Sequence, residues 1–218
     1  MRTTERTPVS RHVWVAAATA ASLLTLMLAG APGARAGIDP SPFRPWLGIS
    51  AASGAFYAGQ GSFRSLYGDV QAAIHIQADV HLSRKIFLFA GFRTLQTKGA
   101  TAVIGTGIAD EHYSLEFRVS SIRAGLGFRL PIRRFALRLG VGGSFNSVRE
   151  RWLDFPEDEA LKAAGFFGNI GFGFELGRRW EIFSRLEYAT IPTDSGSALQ
   201  SKVNLGGFEA VLGLMFKL

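Results

Sequence analysis

A strict alternation of apolar and polar residues limits what this chain can fold into. Successive side chains of a β-strand point to opposite faces, whereas a helix repeats every 3.6 residues and cannot produce this pattern. The alternation is clearest where one face holds Val70, Ala72, Ile74, Ile76, Ala78, Val80 and Leu82, and the other holds Gln71, Ala73, His75, Gln77, Asp79 and His81. The chain is therefore expected to consist mainly of half-buried strands.

The same pattern predicts an all-β fold of eight strands. They cover Trp46–Tyr57, Val70–Leu82, Ile86–Gln96, Tyr113–Leu130, Phe135–Arg149, Phe166–Leu176, Trp180–Thr190 and Val203–Leu218. The fourth and eighth strands change phase midway, and a β-bulge near Ser120–Ser121 and another near Gly206–Gly207 would restore one apolar face in each. Eight antiparallel strands joined in sequence predict an up-and-down barrel, because closure leaves no exposed edge.

The N-terminal segment reads as a secretory signal peptide. Arg2, Arg6 and Arg11 precede an apolar run, and Ala34-Arg35-Ala36 supplies a cleavage site with small residues. The alternative is an uncleaved membrane anchor, but the break at Gly30–Gly33 and the small-residue site favour cleavage. Residues 1–36 are thus expected to be removed, leaving residues 37–218 as one barrel domain.

Charge and composition exclude several classes of function. The chain has no Cys, which excludes a disulfide framework and Cys-based metal sites. Its formal net charge is +7, of which the signal segment carries +3, and the remaining charge is dispersed, so we expect no nucleic-acid partner. His75 and His81 lie on one face of the second strand and His12 lies in the signal segment, so these histidines form no multidentate cluster. We predict no metal site and no cofactor.

The connections between strands alternate in length. Ser83–Lys85, Pro131–Arg134 and Gly177–Arg179 are short, whereas residues 58–69, 97–112, 150–165 and 191–202 form long segments. Transmembrane barrels have short periplasmic turns and long loops outside the cell. In the third long segment, the capping-box spacing over Asp154–Lys162 predicts a short helix. Its acidic cluster offers ligands for divalent cations that bridge lipopolysaccharide, but a solvated loop is favoured.

The polar face decides between a membrane barrel and a soluble, lipocalin-like barrel with an apolar cavity. That face mixes glycines with scattered charges, which suits the narrow lumen of eight strands and leaves the apolar face for lipid. Aromatic residues at the strand ends predict two interfacial girdles, since amphipathic rings favour the membrane surface. These aromatics are Tyr57, Tyr113, Phe128, Phe135, Trp180 and Tyr188.

Together with the signal segment and the eight strands, the apolar C-terminal strand, Phe208–Leu218, resembles those of the small outer-membrane β-barrel family that includes the OmpA membrane domain and OmpX. The resemblance implies export to the outer membrane, contact with its lipid and lipopolysaccharide, and insertion by the barrel-assembly machinery. In that family a terminal aromatic usually closes the last strand, whereas here Leu218 ends it and Phe216 lies two residues before. The implied role is envelope integrity or adhesion through the loops, with an unidentified extracellular partner.

The alternation also predicts an ion-pair network inside the barrel. Buried charges are tolerated when they are paired and hydrogen-bonded, so charges of both signs in a narrow lumen predict a plug. A narrow path for ions or small solutes, lined by the same groups, is the alternative. The predicted network contains Asp79, Arg93, Glu116, Arg118, Arg123, Arg138, Glu175, Arg185, Glu187 and Glu209, with Glu181, Arg129 and Lys217 on the same face.

One tripeptide offers an enzymatic alternative. His112-Tyr113-Ser114 resembles the His-Tyr-Ser of outer-membrane lipid A deacylases, in which His activates a Ser nucleophile. Leu115 replaces the Asn that follows in those enzymes, and the alternation turns His112 and Ser114 toward the lumen, away from a lipid substrate. We therefore predict no catalytic residues.

Overall fold

A computed structural model describes residues 43–103, 111–154, 158–193 and 204–218. The predicted signal segment lies outside these ranges. The eight predicted strands are confirmed, and within the described residues one short helix lies between the first strand and the second. The elements are β1 (Trp46–Ala58), α1 (Gly61–Tyr67), β2 (Gln71–His81), β3 (Ile86–Val103), β4 (Glu111–Ile132), β5 (Phe135–Trp152), β6 (Asp158–Glu175), β7 (Trp180–Thr190) and β8 (Gly207–Lys217).

The strands form a closed barrel in sequence order. Each strand pairs antiparallel with the next, and β1 pairs with β8 from Gly48 opposite Lys217 to Ala58 opposite Gly207. The up-and-down topology predicted from the alternation is therefore confirmed. Closure satisfies the backbone of every strand within the sheet, which a barrel in lipid requires because no water is present there.

Two hairpins are longer than the sequence predicted. β3 reaches Val103 and β5 reaches Trp152, and their partners β4 and β6 begin at Glu111 and Asp158. Most of the second and third predicted loops is therefore paired strand. The predicted helix over Asp154–Lys162 is wrong in its described part, because residues 158–162 pair with β5; residues 155–157 lie outside the described ranges.

The bulge predicted near Ser120–Ser121 is absent, because the pairing register of β4 continues unbroken through Ser120 and Ser121 toward both neighbouring strands. What changes is the polarity of the faces. Leu115, Phe117 and Val119 point inward and are buried, while Arg118 between them is exposed outside. Where the outer side of the wall carries polar side chains such as Arg118, the apolar residues turn to the interior, away from water.

The second predicted bulge, near Gly206–Gly207, is also wrong. Gly59 continues the β1–β8 register by donating its N–H to the carbonyl oxygen of Gly206, and Leu205 likewise donates to Ile191 in the register of β7 and β8. Leu205 is buried inside the barrel. The phase change here also marks an exchange of faces rather than an inserted residue.

We call the half of the barrel nearer the tight turns the lower barrel and the half nearer α1 the upper barrel. The outer surface of the lower barrel is apolar. Aromatic pairs lie at both limits of this belt: Trp180 packs on Phe216 at the end with the tight turns, and Tyr188 packs on Phe208 at the other end, with centroid distances of 4.9 and 4.8 Å. Five of the six predicted interfacial aromatics lie on this outer face; the side chain of Tyr113 lies outside the described part. The five are Tyr57, Phe128, Phe135, Trp180 and Tyr188.

Helix α1 lies over the end of the barrel opposite the tight turns. The seven-residue helix ends at Tyr67, and Gly68 caps it with a φ of 86° that suits glycine. Its side chains Phe63 and Tyr67 are buried. Within the described residues, no helix has the length and apolarity needed to cross a membrane. The helix thus closes the interior from above with two aromatic rings.

Candidate functional site

The lower barrel interior is organised around Arg138 and Glu181. Arg138 donates to Asp79, and its Nη1 lies 3.3 Å from Glu181 Oε1. The second oxygen of Glu181, Oε2, lies 3.3 Å from Arg129 Nη2 and 3.0 Å from Lys217 Nζ. Asp79 and Glu181 are fully buried, so each carboxylate depends on these cations for its solvation.

Glu175 closes this cluster at the rim near the tight turns. It lies 3.0 Å from Arg129 Nη2 and 2.6 Å from Lys217 Nζ, and about a third of its side chain is exposed. The predicted network therefore includes Glu175 as a member at the water surface rather than in the interior.

A second cluster surrounds Glu209 in the middle of the barrel. His75 Nε2 lies 2.6 Å from Glu209 Oε1, and Arg93 Nε lies 2.8 Å from Glu209 Oε2. Arg185 Nη2 lies 3.1 Å from His75 Nδ1. Because a guanidinium has only donors, Nδ1 must accept, and His75 carries its proton on Nε2 and donates it to Glu209.

Hydrogen bonds connect the two clusters. Arg185 donates to Gln77 Oε1 at 2.8 Å, and Gln77 Nε2 donates to Asp79 Oδ1 at 2.6 Å. Arg123 binds Glu187, which lies 3.9 Å from Arg185 Nε. We call the whole set the ion-pair layer: Asp79, Glu175, Glu181, Glu187, Glu209, Arg93, Arg123, Arg129, Arg138, Arg185 and Lys217.

Aromatic rings and glycines pack around the ion-pair layer. The guanidinium carbon of Arg123 lies 3.8 Å from the ring centroid of Phe167, and that of Arg138 lies 4.7 Å from the centroid of Phe87. The Phe87 ring in turn occupies the space beside Gly127, where an added Cβ would overlap it. Small and large residues thus complement each other across the lumen.

Little space remains inside the lower barrel. A cavity lined by Gln77, Arg138 and Asn169, among others, has a volume of about 20 Å³, and one beside His75 and Arg123 has about 10 Å³. The larger volume is that of about one water molecule.

Five carboxylates face six cations in the ion-pair layer, so the charges nearly balance.

The upper barrel interior is apolar. Its rings are held close: the centroid of Phe63 lies 4.9 Å from that of Phe117, and the centroid of Tyr67 lies 5.2 Å from it. We call this cluster the apolar plug. Its members are Phe56, Ala58, Phe63, Tyr67, Ala73, Leu95, Leu115, Phe117, Val119, Val148, Ala163, Ile191 and Leu205.

One polar contact crosses the apolar plug. The Tyr67 hydroxyl donates to Glu150 Oε1, and both side chains are buried. Burial raises the pKa of Tyr67 above its ordinary value, and the hydrogen bond to Glu150 and its negative charge raise that pKa further. Tyr67 therefore remains a protonated donor across the physiological range.

Three of the site residues considered from the sequence lie elsewhere. Glu116 and Arg118 were predicted in the lumen, but both face outward above the belt, where Glu116 accepts a hydrogen bond from Gln96. Ser114 is exposed rather than turned to the lumen; the side chain of His112 lies outside the described part. All three errors follow from assigning the polar face of upper β4 to the lumen.

The structure also adds residues that the sequence did not single out. His75 and Gln77 bind Glu209 and Asp79 of the ion-pair layer, and the alternation already placed both on the polar face of β2. Asn146 is buried and accepts from Ser121 at 2.6 Å. Among the residues that the structure describes, no group of three or more His, Asp or Glu is arranged to hold a metal ion.

Comparison with known proteins gives this architecture a family. The family model for the outer membrane protein beta-barrel domain matches residues 20–216. The chain belongs to this family. It thus belongs with the outer-membrane β-barrels, in agreement with the resemblance inferred from its strands. No curated protein matches the chain at the level required for a reliable relationship.

Solved structures with the same fold are distant in sequence. Neisserial surface protein A shares 13% identity, with a TM-score of 0.53 over 80% of this chain and 97% of that chain. OprG from Pseudomonas aeruginosa shares 12% identity, with a TM-score of 0.53 over 80% of this chain and 95% of that chain. Identity this low establishes the shared barrel fold alone.

Proposed function

We propose that this protein is a sealed, non-enzymatic barrel of the outer membrane that supports the envelope and presents its long hairpins for contact outside the cell. The observation that carries the proposal is an interior filled in two layers. The ion-pair layer fills the lower and middle barrel, and the apolar plug with α1 fills the upper barrel.

Both layers oppose conduction for physical reasons. A permeating ion would have to displace Arg138 from Asp79 and Glu181, leaving buried charges without partners. It would then meet the rings of Phe63 and Phe117, which offer no group to replace water. The two barriers lie in series along the same axis.

The proposed orientation places the tight turns in the periplasm and α1 with the β3–β4 and β5–β6 hairpins outside. Short turns on the periplasmic side and long connections outside are the rule in such barrels. The outward side of the long hairpins is polar above the belt, as a surface in water requires, with Gln96, Arg118 and Arg149 exposed.

Recording from planar bilayers tests the proposal. The purified, folded protein is expected to leave the conductance at that of the bare bilayer. The alternative function is a narrow path for ions or small solutes, which the charged lumen would line. Conductance well above the bare bilayer, abolished in Arg138→Gln or Glu187→Gln, would replace our proposal by that alternative.

The enzymatic alternative has a separate test. Ser114 is exposed, and its backbone N–H donates to Asp154 Oδ2 at 2.8 Å. If the protein is non-enzymatic, lipid A from cells with the protein, without it, or with Ser114→Ala will show the same acyl pattern by mass spectrometry. Loss of an acyl chain that requires Ser114 would overturn that part of the proposal.

A further inference from the structure

Two arginines lie directly opposite each other on the outer surface of the long hairpins. Arg118 of β4 is paired with Arg149 of β5, and both side chains are exposed. Side chains that pair across antiparallel strands have Cβ atoms about 4.5–5.5 Å apart, and like charges at such positions destabilise the sheet. An anion bound between the two side chains would relieve this repulsion.

The protein itself does not supply that anion within its described residues. One row higher, Glu116 lies opposite Arg151, where opposite charges match, and Glu116 is also engaged by Gln96. For Arg118 and Arg149, no ion pair with a carboxylate is found among the described side chains. The carboxylate in the row above therefore lies opposite Arg151 rather than opposite either arginine of the lower pair.

Lys162 extends this cationic surface onto β6. It pairs with Ser147, the next outward position below Arg149, and is exposed. It therefore stands diagonally to Arg149, at about 7–8 Å between positions. We call Arg118, Arg149 and Lys162 the basic patch.

The basic patch lies just above the lipid-facing belt. Ile122 and Phe145, four residues below the two arginines, are the last apolar pair on these strands and are 66% and 54% exposed. Four residues span about 13 Å along a strand, or roughly 10 Å in height at a tilt of about 40°. Long arginine side chains lie along a surface and reach down, so they meet the headgroup layer.

The chemistry of the patch selects phosphate. A guanidinium offers a planar fork of donors that matches phosphate oxygens, and two adjacent forks bind one or two phosphates while losing their mutual repulsion. The patch faces sideways from the hairpins at headgroup height, so its ligand has to stand in the membrane beside the barrel.

We propose that the basic patch binds the phosphate groups of lipid A in the outer leaflet. The inference rests on the proposed orientation, which places these hairpins at the outer surface. A lipid A molecule beside β4 to β6 would lay its acyl chains on the belt at Ile122 and Phe145. Its phosphates would then lie under Arg118, Arg149 and Lys162.

Binding of lipid A to the full, folded protein in mixed micelles tests the proposal. The probes are bisphosphorylated lipid A and the same lipid with both phosphates removed. Wild-type protein is expected to bind the phosphorylated form more tightly. The double variant Arg118→Gln/Arg149→Gln is expected to lose on the order of tenfold in affinity for it, since each cation near an anionic surface contributes to binding.

The matched control removes two exposed arginines at the opposite end of the barrel, in Arg178→Gln/Arg179→Gln. Heat-modified migration on gels verifies that every variant is folded. Equal affinities of wild-type and patch variant for lipid A, an equal loss in the control, or binding that ignores the phosphates would each overturn the proposal. So would a soluble sulfated polysaccharide that binds the patch and that lipid A cannot displace.

The test is independent of the sealed-barrel proposal. Protease or labelling reagents added to intact cells report whether the hairpins are outside, and bilayer recording reports whether the lumen conducts. A conducting barrel with intact lipid A binding would refute the sealed barrel alone. A sealed, correctly oriented barrel whose patch variant binds normally would refute the lipid site alone.

Discussion

Tyr67 and Glu150 form a buried hydrogen bond in the upper barrel although 83 residues separate them in the chain. Glu150 Oε2 has no hydrogen-bond partner among the described residues, so this carboxylate depends on Tyr67. The contact fixes α1 to the inner face of β5. It adds a directional side-chain bond to the non-directional contacts of the apolar plug.

Replacing Tyr67 by Phe is expected to lower the free energy of unfolding by about 1–3 kcal/mol, because a buried carboxylate loses its donor. Urea unfolding of the folded barrel in lipid vesicles measures the change. Tyr57→Phe, which removes a hydroxyl from the exposed outer face, is the matched control and is expected to change stability by less than about 0.5 kcal/mol. Similar losses in both variants would show that Tyr67 owes its role to its ring alone.

Stability is also expected to fall at high pH through Tyr67. Its pKa in the folded barrel is above the ordinary value of 10.0, so the folded state holds the proton after the unfolded chain has released it. The stabilisation is complete below pH 10 and is lost as pH rises further, by up to about 1.4 kcal/mol per unit. Unfolding curves of wild type and Tyr67→Phe between about pH 9 and pH 11, a range that spans the ordinary pKa, measure how the free energy of unfolding changes with pH in each protein. A steeper decline in the variant would contradict this sign.

Removing Arg138 is expected to destabilise the ion-pair layer strongly. Arg138→Met leaves Asp79 buried without its cation and weakens the pairing of Glu181, at a cost of about 3–5 kcal/mol. The double variant Arg138→Met/Asp79→Leu removes the stranded charge and is expected to recover part of that loss. Unfolding in urea measures both, and strictly additive effects of the two substitutions would contradict a direct coupling.

Gly127 is expected to resist enlargement because its missing side chain leaves room for the Phe87 ring. Gly127→Ala should cost about 1–3 kcal/mol, as overpacking does, and Phe87→Leu in the same chain should reduce that cost. Gly143→Ala is the control, since its added methyl would approach only the carbonyl oxygen of Gly165, at 3.8 Å. A loss of the same size in the control would point to backbone effects common to glycines in strands.

The lower barrel could be predicted from the sequence because lipid and lumen impose opposite requirements on alternate residues. In β2 the alternation alone separates Ile74 and Ile76, which face lipid, from His75 and Asp79, which face the lumen. The charged and glycine-rich character of that inner face predicted a filled interior. The partners within it could not be predicted, since Arg93 and Glu209 come from strands that are not neighbours.

The upper barrel was predicted wrongly for a specific reason. Apolar alternation shows that Leu115 and Phe117 share one face, but it does not show whether that face meets lipid or a protein core. Keeping the apolar face outward required bulges and turned Glu116 and Arg118 inward. The bond between Tyr67 and Glu150 had no signal in the sequence, because it depends on a short helix in a segment read as a loop.

The exchange of faces in β4 has a consequence for how such a barrel is positioned. Residues below Ile122 are compatible with lipid on the outside and those above Ser120 with water, so the strand itself carries a depth mark. The depth is set by the position along the strand at which the apolar residues change faces, not by any single anchor residue. Moving this exchange by two residues in the neighbouring strands would shift the barrel in the membrane by roughly 5 Å. All of the surface outside the membrane would shift by the same distance.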